Sequence, residues 1–235
     1  MAKLKSIFPI LVIGDTHCPC MLKDYPKFLK KQYDKYKCKT VVHIGDLVDN
    51  HRVSVNHIAE AGWYDYNTEV KLARKQIQQL VKIFPSAYLC VGNHDDRLNA
   101  LASSVGIPKD YLKSLDEQFG LPKTWKVGYE FILGNVRFRH GTGRSGNTPH
   151  LTEAVQARTS SVIGHCHSVG GCEFIVGPSD RLFGLSTGCG VDRSALVFKY
   201  GSEIQKKPVI GCGIVLSEFE ALFVPMDLGS KIVRK

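Results

Sequence analysis

The chain has 235 residues with 43% hydrophobic and 23% charged residues, a composition typical of one globular domain and not of a disordered or fibrous chain. No apolar stretch approaches the roughly 20 residues that a membrane-spanning helix needs, so no membrane partner is expected. The formal net charge of +9 favours polyanions such as nucleic acid as partners, although charge alone does not specify a fold.

The first apolar run covers residues 7–13 and leads into Gly14 and Asp15 without a small-residue cleavage site. We therefore predict a buried strand there, not a signal peptide, and a cytoplasmic protein. The eight cysteines are scattered along the chain, which fits reduced thiols in that compartment, where disulfides are rare. A structural zinc on Cys18, Cys20 and a third thiol stays open as an alternative.

Seven lysines between residues 23 and 39 lie on or beside one predicted helix. Two interpretations of this lysine-rich helix stay open. It could be an ordinary solvated face, or it could supply a positive field that attracts nucleic acid.

Apolar runs that predict strands recur along the chain, and five of them end in a polar cluster that contains glycine. These runs cover residues 7–13, 40–44, 87–91, 136–139 and 161–163. Between them, the 3,4-spacing of apolar residues from Val70 to Phe84 predicts a helix that Asp65 or Asn67 caps and Pro85 ends. Thr148 and Pro149 predict the start of another helix, which runs to about Arg158.

Strands that alternate with helices predict βαβ units and a largely parallel sheet over the first hundred residues. From residue 160 onward, short runs between glycine-rich turns predict a second sheet, mixed or antiparallel, packed on the first. We predict a single domain over residues 1–235. Residues 97–128 interrupt the alternation and form either a cap beside the functional site or an ordinary surface excursion.

The five polar clusters at the strand ends offer oxygen and imidazole ligands. In parallel sheets such strand ends converge on one edge, where ligands bind. Burying so many polar groups together is costly unless they are paired or bind a metal, so the clusters together predict a metal centre. The clusters read Gly14-Asp15-Thr16-His17, Gly45-Asp46-Leu47-Val48-Asp49, Gly92-Asn93-His94-Asp95, His140-Gly141 and Gly164-His165-Cys166-His167.

This ordered set resembles the calcineurin-like metallophosphoesterase superfamily, whose pattern is Asp-x-His, Gly-Asp-x-x-Asp, Gly-Asn-His-Asp/Glu, a lone His and Gly-His-x-His. The compact chain is also similar in style to phage and bacterial members. The resemblance implies an α/β fold, a two-layer mixed β-sandwich flanked by helices. It also implies two divalent ions. By resemblance Asp15, His17 and His167 would hold the first, Asn93, His140 and His165 the second, and the carboxylate of Asp46 would bridge both.

The ligand chemistry agrees with that implication. A carboxylate can span two ions, and two ions that share a ligand can supply hydroxide for attack on a phosphate ester. Ligation by His, Asp and Asn without thiolate suits Mn, then Fe, Zn, Co or Ni, better than Mg alone. By resemblance His94 would face the substrate as a catalytic residue, and Asp49 would orient its ring and raise its pKa.

One departure from the family bears on the substrate. Phosphoprotein phosphatases continue the second block with Arg-Gly, and the arginine grips the phosphate, whereas Asn50 follows Asp49 here. Arg144, Arg52 and His51 are the candidate substrate-binding residues that could replace it. We therefore expect a phosphodiesterase or nuclease acting on nucleic acid or nucleotides. A phosphomonoesterase acting on small molecules or phosphoproteins is the alternative, and a non-catalytic scaffold is a further one.

Overall fold

The computed structural model describes residues 6–54, 64–195 and 207–229. Two β-sheets dominate it, and the first has six strands in the order β11-β10-β1-β2-β3-β4. Strands β1 to β4 run parallel to their neighbours, while β10 pairs with β1 in the antiparallel sense. The strands are β1 (Ile10–Ile13), β2 (Thr40–His43), β3 (Ala87–Cys90), β4 (Trp125–Gly128), β10 (Gly211–Ser217) and β11 (Glu220–Pro225).

The second sheet has five strands in the order β5-β6-β7-β9-β8. Its three inner strands are parallel, and its two edge strands are antiparallel to their neighbours. The strands are β5 (Glu130–Leu133), β6 (Val136–Arg139), β7 (Ser161–Ile163), β8 (Gly170–Val176) and β9 (Arg181–Thr187).

Five α-helices and two short 3-10 helices, His51–Val53 and Lys109–Tyr111, connect the described strands. The α-helices are α1 (Tyr25–Lys35), α2 (Tyr66–Ile83), α3 (Arg97–Ser104), α4 (Leu115–Phe119) and α5 (Pro149–Ala157). The predicted start of α2 is confirmed, because the Asp65 carboxylate accepts the Thr68 N–H at 3.1 Å. Thr148 and Pro149 begin α5 as predicted, and Arg158, in the left-handed region, ends it.

The alternation of side chains along β1 divides the core into two layers. Ile10 and Val12 pack between the two sheets, among residues such as Phe138 and Leu185. Leu11 and Ile13 point to the other face, where they join the apolar sides of α1 and α2. Both layers are fully buried at β1, which explains the uninterrupted apolar run. The predicted two-layer mixed sandwich with flanking helices is confirmed.

The prediction that all strands after residue 160 belong to the second sheet is wrong. Strands β10 and β11 return to the first sheet, where β10 completes the hydrogen bonds of β1. The second sheet instead begins earlier, at β5. The predicted interruption over residues 97–128 is also shorter than expected. Its last four residues form β4, the edge strand of the first sheet.

All eight cysteines are free, and six of them are buried. Cys18 and Cys20 belong to no metal-binding group among the described residues, so the alternative of a structural zinc has no support there. Within the described ranges, no helix has both the length and the apolar character needed to cross a membrane.

Candidate metal centre

The parallel strands bring the polar clusters together. Asp15, Asp46 and Asn93 follow β1, β2 and β3 in the first sheet, while His140 and His165 follow β6 and β7 in the second. The carboxyl ends of all five strands therefore meet along one edge of the sandwich. The seven predicted metal ligands occupy this edge and form two groups that share one residue.

The first group consists of Asp15, His17, Asp46 and His167, each offering one ligand atom within 4.8 Å of the others. The Nε2 atoms of His17 and His167 lie 3.0 Å apart, and the His167 Nε2 lies 3.1 Å from Asp15 Oδ2. Three of these residues are buried, and His167 is partly exposed. The group opens to solvent through that histidine.

The second group consists of Asp46, His140 and His165, whose ligand atoms also lie within 4.8 Å of one another. Asn93 adjoins it, with its Oδ1 3.0 Å from His140 Nε2. Asp46 Oδ2 lies 3.2 Å from His140 Nε2 and 3.5 Å from His17 Nε2. The same carboxylate oxygen thus faces both groups, which is the arrangement that a bridging ligand requires.

Hydrogen bonds on the far side of two imidazoles orient their rings. His17 Nδ1 lies 2.8 Å from Asp49 Oδ1, and His140 Nδ1 lies 3.2 Å from the carbonyl oxygen of Ile44. Both partners are acceptors, so each Nδ1 carries the hydrogen. The Nε2 of each ring is then directed at the ligand groups, as second partners of metal-bound histidines arrange it.

Glycines before the ligands leave room for the carboxylates of neighbouring strands. A Cβ atom at Gly92 would lie 2.2 Å from Asp46 Oδ1, and one at Gly164 would lie 2.2 Å from Asp15 Oδ1. The backbone also turns sharply at the ligands themselves. His17, Asp46 and His165 have φ values of 44°, 48° and 63°, a left-handed conformation that non-glycine residues rarely adopt.

The charges of the centre are strongly coupled. Burial alone would raise the pKa of Asp15 and Asp46, but neighbouring imidazoles, His140 foremost, outweigh it and lower both values. Burial lowers the pKa of His17 to about 4, with the charge on His94 adding to the effect. His140 behaves oppositely, because the carboxylates of Asp46 and Asp15 overcome its burial and raise its pKa to about 9.

The centre suits divalent cations. Asp15 Oδ1 is buried and accepts no hydrogen bond from the described residues, and Asp15 and Asp46 are held as anions. Buried anionic oxygen without a partner is costly, and a cation bound by two carboxylates and several imidazoles would remove that cost. The described residues therefore include His and Asp groups able to hold metal.

A hydrogen-bonded network lies beside the first group. His94 Nδ1 is 3.0 Å from the Asp49 carbonyl oxygen and 3.2 Å from Asp49 Oδ1. Hydrogen bonds from His17 and His94 outweigh burial and keep the pKa of Asp49 low. Burial lowers the pKa of His94, but the charge of Asp46 and the contact with Asp49 reverse the effect, so its pKa is raised.

Sequence reasoning missed Arg97, which closes this network. Its Nη1 donates to the carbonyl oxygen of Asp49 at 2.8 Å, and its Nη2 lies 3.2 Å from His94 Nε2. The guanidinium is partly buried and sits at the first residue of α3. The one signal in the sequence is its spacing, three residues after His94, which places the two side chains on the same side of a turn of helix.

The predicted substrate-binding residues are occupied by other contacts. Arg144 Nε and Nη1 donate to Glu153 and Gln156 of α5, each at 2.5 Å, so its guanidinium is held against that helix. Arg52 Nε donates to the Tyr64 carbonyl oxygen at 2.6 Å. His51 lies closest to the network, with its Nδ1 3.7 Å from Asp49 Oδ2.

Asp95 links two of the turns that carry ligands. Its carboxylate accepts the N–H of Val48 at 3.1 Å and that of Gly92 at 2.9 Å. Burial, assisted by the negative charge of Asp46, raises the pKa of Asp95 to about 7. Asp95 therefore braces the turns that follow β2 and β3.

This geometry, on a sandwich of two mixed sheets, defines a candidate metal site of His and Asp side chains with Asn93 beside it. The sequence profile of the calcineurin-like phosphoesterases matches residues 8–177, which include every residue of the two groups. The chain belongs to that family. The predicted family resemblance is thereby confirmed.

A search among curated protein sequences finds no match. Similar solved structures include Vps29 from Chaetomium thermophilum, with 17% identity over 88% of this chain and 83% of that chain, at a TM-score of 0.43. Yfce, a phosphoesterase from E. coli, has 11% identity over 94% and 100%, with a TM-score of 0.43. The Pseudomonas putida nuclease MPE has 12% identity over 92% and 86%, with a TM-score of 0.35. Similarity at this level does not specify a substrate.

Proposed function

We propose that the protein is a phosphodiesterase that acts on nucleic acid or nucleotides and depends on two divalent ions, Mn²⁺ foremost. The observation that carries the proposal is the shared carboxylate of Asp46, which faces both ligand groups. Asp15, His17 and His167 would hold one ion, and Asn93, His140 and His165 the other. When bound, the pair would lower the pKa of a shared water and offset charge on the phosphoryl oxygens.

The choice of metal follows from the ligands. The two groups combine imidazole, carboxylate and amide oxygen, and neither contains a thiolate. Such ligands favour Mn, Fe, Zn, Co or Ni over Mg alone. The free thiols elsewhere in the chain fit a reducing compartment, so we place the protein in the cytoplasm.

His94 would donate a proton to the leaving oxygen. Its Nδ1 is fixed on Asp49, and its raised pKa favours the charged ring. The charged ring carries a second N–H at Nε2, which then faces the guanidinium of Arg97 at 3.2 Å. Two cationic donors in that position repel each other unless an anion lies between them, and a phosphate oxygen would accept from both. Arg97 could thus supply the phosphate contact that the residue after Asp49 does not.

Two nitrophenyl esters test the proposed function. With added Mn²⁺, we expect the protein to hydrolyse bis(nitrophenyl) phosphate, a diester, with a higher kcat/KM than nitrophenyl phosphate, a monoester. Chelation should abolish both reactions, and added Mn²⁺ should restore them. Full activity after demetallation would contradict the two-metal mechanism. A preference for the monoester would replace the proposal with the alternative of a phosphomonoesterase.

Metal binding should release a proton from His140. The carboxylates of Asp46 and Asp15 raise the pKa of this ring to about 9, but a metal binds only the neutral ring. Below pH 9 the proton must leave, so affinity for Mn²⁺ should fall as the pH falls, about tenfold per unit for each proton released. Calorimetric titration in buffers of different ionisation enthalpy measures this release.

The variant His140→Gln provides the control for that measurement. It should bind Mn²⁺ more weakly and should release about one proton fewer than the wild type on binding. Equal proton release in both proteins would show that His140 is not the group that loses its proton.

A further inference from the structure

A groove lies between α2 and the segment 98–118, apart from the metal-binding groups. Its volume is about 790 Å³, within the range of roughly 300–1,000 Å³ that small-ligand sites occupy. One side of α2 forms one wall, and residues of α3, the second 3-10 helix and α4 form the other. Its most prominent lining side chains are Tyr66, Lys71, Lys75, Leu98, Tyr111 and Lys113.

The charge of the groove is positive throughout. Lys71, Arg74, Lys75 and Lys113 line it, and none of its lining residues within the described ranges is an aspartate or glutamate. The three lysines are exposed. Arg74 has a structural role, because its Nε donates to the Gln118 carbonyl oxygen at 2.7 Å. This hydrogen bond joins the two walls. Three cationic side chains therefore remain in position to contact an anion.

A neighbouring cavity along the same segment has mostly acidic residues among its charged lining side chains. This second cavity has a volume of about 480 Å³, and its lining includes Asp95, Asp96, Asp110, Asp116 and Glu117. Leu98, Leu112, Lys113 and Gln118 line both cavities, and Lys109 also lines the second. Acidic side chains thus outnumber basic ones in the second cavity, whereas the first has only basic charged side chains among its described lining residues. This difference favours an anionic ligand in the first groove.

An aromatic side chain supplies the second element of the groove. Tyr111 lines it with 82% of its surface exposed, although a large aromatic ring normally buries most of its area. Tyr66 lines the groove as well and is half-buried, and the amides of Asn67 and Gln78 lie nearby. Lysines beside an exposed aromatic ring form the combination that binds single strands, with phosphates on the cations and a base stacked on the ring.

Each wall of the groove is connected through the chain to the proposed catalytic network. Leu98 lines it and follows Arg97, whose guanidinium contacts Asp49 and lies beside His94. On the other wall, Glu69 in the first turn of α2 accepts the N–H groups of His51 and Arg52, which follow Asp49 in the chain. A strand lying in the groove would therefore extend toward the metal centre.

We infer that this groove binds single-stranded nucleic acid on one side of the phosphate that the metal centre receives. The phosphates contact Lys71, Lys75 and Lys113, and one base stacks on Tyr111. A duplex does not fit this description, because its bases are stacked on each other and offer no free face to the tyrosine. The direction of the strand toward the centre rests on the proposed function, whereas the binding itself does not.

The groove is a different surface from the lysine-rich helix α1. The exposed lysines of α1 lie on a different helix, and Lys30 is engaged by Asp34 at 2.5 Å. This helix offers a matched control. Lys71→Gln/Lys75→Gln/Lys113→Gln and Lys27→Gln/Lys31→Gln/Lys35→Gln remove the same number of exposed lysines and leave the same net charge.

Fluorescence anisotropy of a labelled oligothymidylate measures the binding by the full-length chain, with chelator present to prevent cleavage. We expect the triple variant of the groove to bind at least about tenfold more weakly than the wild type. The slope of its log K against log salt should be less negative by about 2. The α1 variant should bind within about twofold of the wild type. Tyr111→Ala should weaken binding about tenfold without changing the salt slope, and Tyr111→Phe should bind normally.

Hydrolysis of bis(nitrophenyl) phosphate by the same proteins with Mn²⁺ separates this inference from the proposed function. This small diester does not need the groove, so all four variants should hydrolyse it at the wild-type rate. Equal losses of oligonucleotide binding in the groove and α1 variants would overturn the groove inference and leave the proposed function intact. Groove-dependent binding without any hydrolysis by the wild type would retain the groove and overturn the proposed function.

Discussion

Asp46→Asn should remove both metals and lower kcat/KM for a phosphodiester at least about a thousandfold. The carboxylate oxygen Oδ2 faces both ligand groups, so loss of its charge weakens both sites together. A metal pair contributes several kcal/mol to stabilisation of the transition state, and each 1.36 kcal/mol is about tenfold in rate. Metal content by mass spectrometry and steady-state kinetics measure the two effects.

Asparagine is the informative substitution because it preserves a structural contact. Asp46 Oδ1 accepts the N–H of His94 at 2.8 Å, and an amide oxygen can accept the same bond. The matched control is Asn93→Ala, which touches only the second group and should lose one metal while keeping the other. If Asp46→Asn retained either metal at full affinity, the bridging role would be wrong.

His94→Ala should retain both metals and lose turnover, by about 10²- to 10⁴-fold for an ester with an alkoxide leaving group. The ring lies beside the ligand groups and is fixed by Asp49, and its raised pKa favours the form that can donate a proton. Nitrophenolate leaves without protonation, so the loss should be much smaller for the nitrophenyl diester. The comparison of kcat for the two leaving groups in wild type and variant gives the result.

The dependence on the leaving group separates three roles for His94. An equal loss for both esters would mean that the ring binds the phosphate and donates no proton to the leaving oxygen. Loss of a metal in His94→Ala would mean that the residue is a ligand or supports one. Asp49→Asn is a poorer probe of the same step, because Asp49 also holds the ring of His17 at 2.8 Å.

The ends of the strands were predictable from sequence because their signal is local. A short strand that ends in a cluster of glycine and a predicted ligand recurs at β1, β2, β3, β6 and β7, and parallel pairing brings such ends to one edge. The same holds for α2, whose cap and apolar face lie within one segment of the chain. The edge of the sandwich at which the candidate site lies, and most of the residues in that site, followed from these two patterns.

Long-range pairing was not predictable in this way. Strand β10 pairs with β1 across some two hundred residues, and the apolar run of β10 does not indicate which sheet it joins. Arg144 follows a ligand within a glycine-rich loop, which suggested a phosphate contact. The guanidinium of Arg144 instead donates to the buried carboxylate of Glu153 on α5, a partner that only the tertiary structure identifies.

Arg97 and the groove show the same limit. Arginine three residues after His94 is unremarkable as sequence, and its contact with Asp49 depends on how α3 is oriented. The lysines of α2 and Lys113 are separated by about forty residues and share one surface only because the segment 98–118 folds beside α2. The density of lysines in α1 favours a different helix from the one that the groove inference assigns to nucleic acid.

The left-handed backbone of His17, Asp46 and His165 has a consequence for how this chain could diverge. Each such residue costs about 1–2 kcal/mol that glycine would not, and asparagine would cost less than histidine or aspartate. Selection for stability alone would therefore favour replacement of these three residues by glycine or asparagine. In a relative that no longer binds the metals, we expect these substitutions to occur early. Their presence in a sequence would then indicate that the activity has been lost.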